Sequence, residues 1–188
     1  LGVEVLQGYG KLVNPWTVEV TLNDGQVQRL TARSIVIAAG ARPMVPPLPG
    51  LDDVGYVTGD TLWDEFAKLD DIPKRIVVLG GGPIGCELSQ SFARLGAQVT
   101  QVEMGERIMV REDEEVSALA RDALQADGVL VLTGHKALRC ERRGEDKILV
   151  ASKQSEGQGQ EVEIVFDALV CAVGRVARRQ GYGLEYNV

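Results

Sequence analysis

Ten consecutive residues constrain this chain more than any others. Ile76-Val77-Val78-Leu79 is a short, wholly apolar, β-branched run, as a strand buried on both faces requires. Gly80-Gly81-Gly82-Pro83-Ile84-Gly85 follows without a gap. Ile84, Leu88, Phe92 and Leu95 then recur at helical spacing, and Gly96 stands where a C′ glycine ends a helix. Pro83 fits the first helical turn, where its missing N–H costs little. The pattern Gly80-x-Gly82-x-x-Gly85 therefore lies between a strand and a helix, the setting in which it carries chemistry. Gly80 permits the tight turn, Gly82 lets the backbone approach a pyrophosphate, and Gly85 lets the helix pack close to the strand. Free N–H groups at the helix start and the positive end of its dipole favour phosphate. Because Pro83 lacks a donor, the amides of Gly82, Ile84 and Gly85 are the candidates.

A second short strand, Val99 to Glu103, ends in an acid 18 residues past Gly85. Glu103 is expected to accept hydrogen bonds from the adenosine ribose hydroxyls of a dinucleotide. A carboxylate there repels a 2′-phosphate, which favours NAD(H) over NADP(H). Arg107 and Arg111 follow nearby and keep NADP(H) as the less favoured alternative, although surface charge is the simpler role for Arg107. The bland alternative is a ligand-free strand–helix turn with Glu103 as a solvated strand-end acid. Glu87 reads as a solvated acid near the helix N-terminus, and Cys86 as packed and inert.

Arg111-Glu112-Asp113-Glu114-Glu115 places acid at a second helix start, with Val116, Leu119, Ala120, Ala123 and Leu124 as its apolar stripe and Gly128 closing it. Residues 129–132 read as a third strand. Alternation from about Lys136 to Phe166 predicts β-hairpins around a turn at 155–160, followed by a last strand at 168–173. Residues 1–8 resemble 127–134, and Val36-Ile37-Ala38-Ala39-Gly40-Ala41-Arg42 resembles Val170-Cys171-Ala172-Val173-Gly174-Arg175. The chain thus reads as the back half of one unit followed by the whole of another, with a glycine loop and two helices expected upstream of Leu1. Pro43, Pro46, Pro47 and Pro49 predict an extended crossover between them. A short helix is expected after it, with Thr61 as N-cap and Leu62, Phe66 and Leu69 on one face.

Composition excludes several function classes. Among 188 residues, 20 Lys+Arg against 27 Asp+Glu give a net charge of −7, which argues against nucleic acid as a partner. No apolar run approaches the ~18 residues of a membrane span. No signal peptide opens the sequence, so a cytoplasmic location is expected; the start at Leu1 rather than Met suggests a piece of a longer protein. Cys86, Cys140 and Cys171 are too dispersed for a metal site and suggest buried thiols in a reducing compartment. His135 is the only histidine, and nothing around it reads as a nucleophile elbow. Neither a catalytic residue nor a metal site is therefore predicted. The acidic run at 112–115 reads as helix-start charge.

These motifs resemble the pyridine nucleotide-disulfide oxidoreductase family, which includes dihydrolipoamide dehydrogenase, mercuric reductase and glutathione reductase. The run Val36 to Pro43 is similar to the family's second flavin-side motif, with Ala39 where Thr is usual. Val77 to Glu87 is similar to its nicotinamide-nucleotide loop, with a lean toward the mercuric reductase branch. Ala172-Val173-Gly174-Arg175 is similar to the motif where the chain returns toward the flavin domain. The resemblance implies FAD and NAD(P)H as cofactors, Gly40 beside the FAD, Gly174 bordering the nicotinamide, and Glu87 near the nicotinamide and paired with a flavin-site lysine. Pro83 stands where some members carry an aromatic gate. The FAD glycine loop, the CxxxxC disulfide and that lysine are expected before Leu1. The C-terminal domain through which members form homodimers is expected after Val188.

The resulting expectation is an α/β fold: a Rossmann-like parallel sheet with helices on both faces and an inserted antiparallel β-meander, with flanking fragments of a flavin-binding domain. Residues 1–45 and 176–188 are assigned to the flavin side and 46–175 to an NAD(H)-binding domain. Such a domain would deliver hydride from NADH to flavin in the full-length parent and be inactive alone. Two competitors are an adenosyl-ligand module such as a methyltransferase and a non-catalytic nucleotide-sensing domain.

Overall fold

A computed structural model describes residues 2–153 and 159–186. The chain divides into two compact units, one of Leu1–Arg42 with Ala177–Val188 and one of Pro43–Val176.

In the first unit, β1 (Gly8–Asn14), β2 (Thr17–Leu22) and β3 (Val27–Thr31) form an antiparallel meander in the order β1-β2-β3. Its turns are closed by side chains: Asn14 accepts the Trp16 N–H at 2.9 Å and Asp24 accepts the Gln26 N–H at 2.9 Å. A further strand, β4 (Ala41–Pro43), ends the segment. Two sequence expectations fail here. Residues 2–6 and 36–39 match, in the internal repeat, the strands expected at 129–132 and 168–173, yet neither forms one. Val3, Val5, Val36 and Ile37 are exposed. A strand needs a neighbour for its backbone groups, and no described residue supplies one.

The second unit contains the parallel sheet. Its elements run α1 (Leu51–Val54), β5 (Val57–Thr58), α2 (Leu62–Phe66), β6 (Arg75–Leu79), α3 (Pro83–Arg94), β7 (Gln98–Val102), α4 (Glu114–Ala126) and β8 (Leu130–Leu132). Then follow β9 (His135–Arg143), β10 (Asp146–Lys153), β11 (Glu161–Phe166), β12 (Ala168–Cys171) and β13 (Arg175–Ala177), with a 3₁₀ turn at Leu184–Tyr186 in the first unit. The parallel strands lie in the order β5-β12-β6-β7-β8, and β9 to β11 make a separate antiparallel sheet. The predicted turn at 155–160 falls, over 155–158, outside the described residues.

Period-two alternation divides the core between the two faces of the sheet. Ile76, Val78, Val99, Val131 and Val170 pack with Leu62 of α2, Phe92 of α3 and Leu124 of α4. Val77, Leu79, Val102, Leu169 and Cys171 pack with Leu149 and Ala151 of β10, Phe166, and Leu51 and Val54 of α1. Helices thus occupy one face, while the β9–β11 sheet covers the other with only the single turn of α1 beside it. Each fully buried Val or Leu of β6 contributes about 1.5–3 kcal/mol, which ties the strand entering the glycine turn to both layers.

Two helices differ from expectation. In α4, Val116 and Leu119 are exposed, while Ser117 and Leu124 are buried and Ala120 packs partly against the core. The inward face runs 117, 120, 124 because the Ser117 hydroxyl reaches the Ile108 carbonyl at 2.6 Å. In α2, the Thr61 hydroxyl does not cap its helix but accepts the Thr58 N–H at 3.0 Å. The helix ends at Phe66, leaving Leu69 exposed.

Candidate functional site

The turn between β6 and α3 lies at the carboxyl edge of the sheet, where the chain order reverses. From β6 the chain proceeds outward to β7 and β8, and it later returns to place β12 on the other side of β6. Open α/β sheets form a ligand crevice at such a switch point.

Three glycines meet three different demands here. Gly80 has φ +110°, and a Cβ on it would stand 2.4 Å from the Ala172 carbonyl oxygen. Its N–H donates to the Val102 carbonyl at 2.8 Å, tying the turn to β7. A Cβ on Gly85 would stand 2.2 Å from the Gly80 carbonyl oxygen, so the first turn of α3 rests directly on the end of β6. Around Gly82 nothing lies within 4 Å of a Cβ. Gly82 is the N-cap of α3 and Pro83 its first residue, with no side chain capping the helix. The amides at this helix start have no intrahelical acceptor. Pro83 and Ile84 are exposed beside it, as is Glu87 one turn along α3.

Glu103 follows the last residue of β7. Its Oε2 accepts the Gly81 N–H at 2.5 Å and its Oε1 accepts the Gly105 N–H at 2.6 Å. A carboxylate offers about four acceptor positions, so these two bonds fix its orientation and leave capacity for two further donors. It is therefore not the freely solvated acid of the bland alternative. The fit leaves no room for a side chain on Gly81, whose Cβ would lie 2.9 Å from Glu103 Cγ and Oε2. The motif spacing gives Gly81 no role; its adjacency to Glu103 appears only in three dimensions.

Gln101 is a second residue that the motif does not mark. It is fully buried on the helix face of β7, and its Nε2 donates to the Gly80 carbonyl at 3.0 Å. The alternation of β7 puts 99 and 101 on one face, which is the only signal that could have found it. Gln101 Nε2 also reaches Cys86 Sγ at 3.6 Å, and the thiol itself donates to the Gly81 carbonyl at 3.5 Å. Burial pushes the Cys86 thiol above its ordinary range, which suits a packing role rather than a nucleophile.

A cavity of about 300 Å³ adjoins the turn on the β9–β11 side of the sheet. Leu79, Gly80, Glu103, Met104, His135 and Val173 are among its lining residues. Its volume lies at the lower end of the ~300–1,000 Å³ of small-molecule sites. His135 bonds through Nδ1 to the Thr133 carbonyl at 2.6 Å, and its main-chain N–H donates to the Glu103 carbonyl at 2.9 Å.

The structure brings Gly80, Gly82, Pro83, Ile84, Gly85 and Glu103 together around one turn. Gly174 follows β12 on the same edge, and its carbonyl accepts the Met44 N–H at 2.9 Å. Gly40 belongs to the other unit, where its φ is +69° and its carbonyl accepts the Arg178 N–H at 3.0 Å. Arg107 departs from its expected role as surface charge: its guanidinium donates to the carbonyls of Met109, Val110 and Glu112 at 2.9–3.1 Å. Among the described residues, no three His, Cys, Asp or Glu side chains gather as a metal-ligand set, and no helix is long and apolar enough to cross a membrane.

Comparison with known proteins gives this geometry a family. A model of the pyridine nucleotide-disulphide oxidoreductases matches residues 2–187. The chain is 39% identical over 186 residues to a dihydrolipoyl dehydrogenase of Thermus scotoductus, covering 97% of the chain and 37% of that protein. It is 36% identical over 174 residues to a mercuric reductase of Bacillus cereus, covering 93% and 26%. Among solved structures, the Cu(II) complex of the HOCl-induced flavoprotein disulfide reductase RclA from Escherichia coli aligns with TM-score 0.73 at 25% identity, covering 96% of this chain and 38% of that one. The chain thus spans about a third of the length of these relatives. With three ordered motifs, the parallel sheet and the match over nearly its whole length, the chain belongs to the pyridine nucleotide-disulphide oxidoreductase family.

Proposed function

We propose that the Pro43–Val176 unit binds NAD(H) at the Gly80–Gly85 turn, as part of a longer flavin-dependent oxidoreductase. The observation that carries the reading is the division of labour within the turn. Gly80 and Gly85 are closed off by backbone, Gly82 is open, and Glu103 is aimed by two amides at the end of the adjacent strand. That cradle fits a dinucleotide. The Gly82, Ile84 and Gly85 amides hold the diphosphate, Pro83 starts the helix whose dipole favours it, and the open acceptor positions of Glu103 take the ribose hydroxyls. The adjoining cavity, with Glu103 in its wall, takes the adenosine end.

NAD(H) is preferred over NADP(H) on electrostatic grounds. A 2′-phosphate would face the Glu103 carboxylate, and the Arg107 guanidinium already serves three carbonyls. When bound, the nicotinamide supplies a hydride. Glu87 of α3 and Gly174, which follows β12, are assigned to the nicotinamide end by family resemblance.

The family is FAD-dependent. In the whole protein, the unit of residues 1–42 and 177–188 is assigned to the flavin side, with Gly40 next to FAD. The parent would be a homodimer that passes electrons from NADH through flavin to an acceptor.

Calorimetric titration of the 188-residue chain with NADH, NADPH and S-adenosylmethionine tests the reading. Binding of NADH, tighter than NADPH, supports it. Heat with S-adenosylmethionine alone favours the adenosyl-module alternative, and no binding of either nicotinamide nucleotide at millimolar concentration rejects the proposal.

A further inference from the structure

Arg107 stands where a surface cation is expected, yet its guanidinium turns back on its own loop. Nη1 donates to the Met109 carbonyl at 3.1 Å and the Glu112 carbonyl at 2.9 Å, and Nη2 donates to the Val110 carbonyl at 3.0 Å. One planar fork thereby gathers three carbonyls, a geometry that a lysine ammonium cannot reproduce. The segment between β7 and α4 curls around it. Within the curl, Met109 has φ +50° and is the one non-glycine residue with positive φ among the described residues. Side chains disfavour that conformation, so the surrounding bonds must hold it. The Glu112 N–H donates to the Met109 carbonyl at 2.9 Å, and the Ser117 hydroxyl donates to the Ile108 carbonyl at 2.6 Å.

The curl delivers two groups to the glycine turn. The Met109 N–H donates to the Gly81 carbonyl at 2.7 Å. Ile108, fully buried, sets Cγ2 2.9 Å from where a Gly81 Cβ would be. On its other side, the Gly81 N–H is the donor to Glu103 Oε2. Gly81 is therefore gripped from two directions. Its carbonyl is fixed by the curl, and its amide fixes the carboxylate. Gly82 is the next residue, so the same grip sets the direction of the open amide.

We propose that Arg107 is a positioning residue for dinucleotide binding. By closing the curl it fixes Gly81, and through Gly81 it fixes the Glu103 carboxylate and the Gly82 amide. The inference rests on the dinucleotide reading above. Arg107 acts without touching the ligand, three of its five N–H donors being committed to the curl's carbonyls.

The test is a double-mutant cycle on the 188-residue chain, read by NADH titration well below the melting transition. The four proteins are the wild type, Arg107→Ala, Glu103→Ala and the double variant. Arg107→Ala is expected to weaken NADH about tenfold, the lower end of what removing a group that orients a ligand-binding residue costs at metal sites. In the Glu103→Ala background the same substitution is expected to cost less than about threefold, because the carboxylate it positions is gone and only the Gly82 amide is left to be misplaced. Arg107→Lys is expected to fall between wild type and Arg107→Ala. A merely structural role would lower the melting temperature but leave the low-temperature affinity unchanged. Equal losses in both backgrounds, or no loss in the wild-type background, overturn the proposal while leaving the dinucleotide reading intact. If the wild type itself binds no NADH, the dinucleotide reading fails and this proposal fails with it. Should Arg107→Ala not fold, the Arg107→Lys cycle is judged by the same coupling.

Discussion

Alanine at position 82 separates the turn's part in binding from its part in folding. Gly82 has φ −76° and ψ 178°, an extended conformation that alanine adopts without strain, and its Cβ would meet nothing within 4 Å. The folded state therefore loses no contact. The unfolded chain loses freedom, so stability should rise by about 0.4–1 kcal/mol, a Tm shift of no more than about 4 °C for a chain of this size. Binding moves the other way. A phosphate oxygen must come within about 2.9 Å of an amide nitrogen, and the added methyl occupies the open approach. Losing two hydrogen bonds to the charged phosphates, at about 1.5–3 kcal/mol each, weakens NADH by at least about a hundredfold. The control is Gly85→Ala, whose Cβ would lie 2.2 Å from the Gly80 carbonyl oxygen and 3.2 Å from Gln101 Nε2. With backbone on one side and a buried amide on the other, α3 must shift, and stability should fall by about 1–3 kcal/mol. Calorimetric titration and thermal melts on both variants give the four values. If Gly82→Ala binds NADH within threefold of wild type and melts normally, the open face of Gly82 is not where the diphosphate sits.

Two further outcomes follow from the same structure. Glu103→Ala should weaken NADH more than NADPH, since it removes ribose acceptors from both but relieves repulsion only for the 2′-phosphate; equal loss would take Glu103 out of the ribose site. Burial raises the Cys140 and Cys171 thiols to about 11 and about 12. An unfolded thiol titrates near about 8.5, so the unfolded chain loses protons first. The stability these neutral thiols contribute is full below that pH and is lost as pH rises through the folded values. Melting temperature should therefore decline above about pH 8.5, and the decline should flatten in a Cys140→Ala/Cys171→Ala variant. An equally steep decline in that variant contradicts the assignment.

The parts of the fold legible in sequence are those that a few residue types alone can build. Gly80 at φ +110° and Gly85 against a carbonyl oxygen admit no side chain, so the turn is written in glycine. The β-branched run at 76–79 needs burial on both faces, and the sheet supplies it. What could not be read depends on partners distant in the chain. Val36 and Ile37 have strand composition, but pairing is a property of two segments. Leu119 falls in a plausible apolar stripe, yet Ser117 wins the inward position through a hydrogen bond to Ile108 that periodicity does not encode. In the site, the spacing between Gly85 and Glu103 predicts an acid at the strand end but not the amides of Gly81 and Gly105 that aim it. Arg107 reads as charge because its three acceptors are carbonyls, which carry no sequence identity.

The most direct test of the account follows the main-chain amides themselves. In ¹⁵N-labelled protein titrated with NADH, the resonances of Gly82, Ile84 and Gly85 should shift together and saturate with one affinity, with Gly81 and Gly105 following as Glu103 takes up the ribose. Saturable binding that leaves the amides of residues 82–85 unmoved would contradict the claim that this turn holds the dinucleotide.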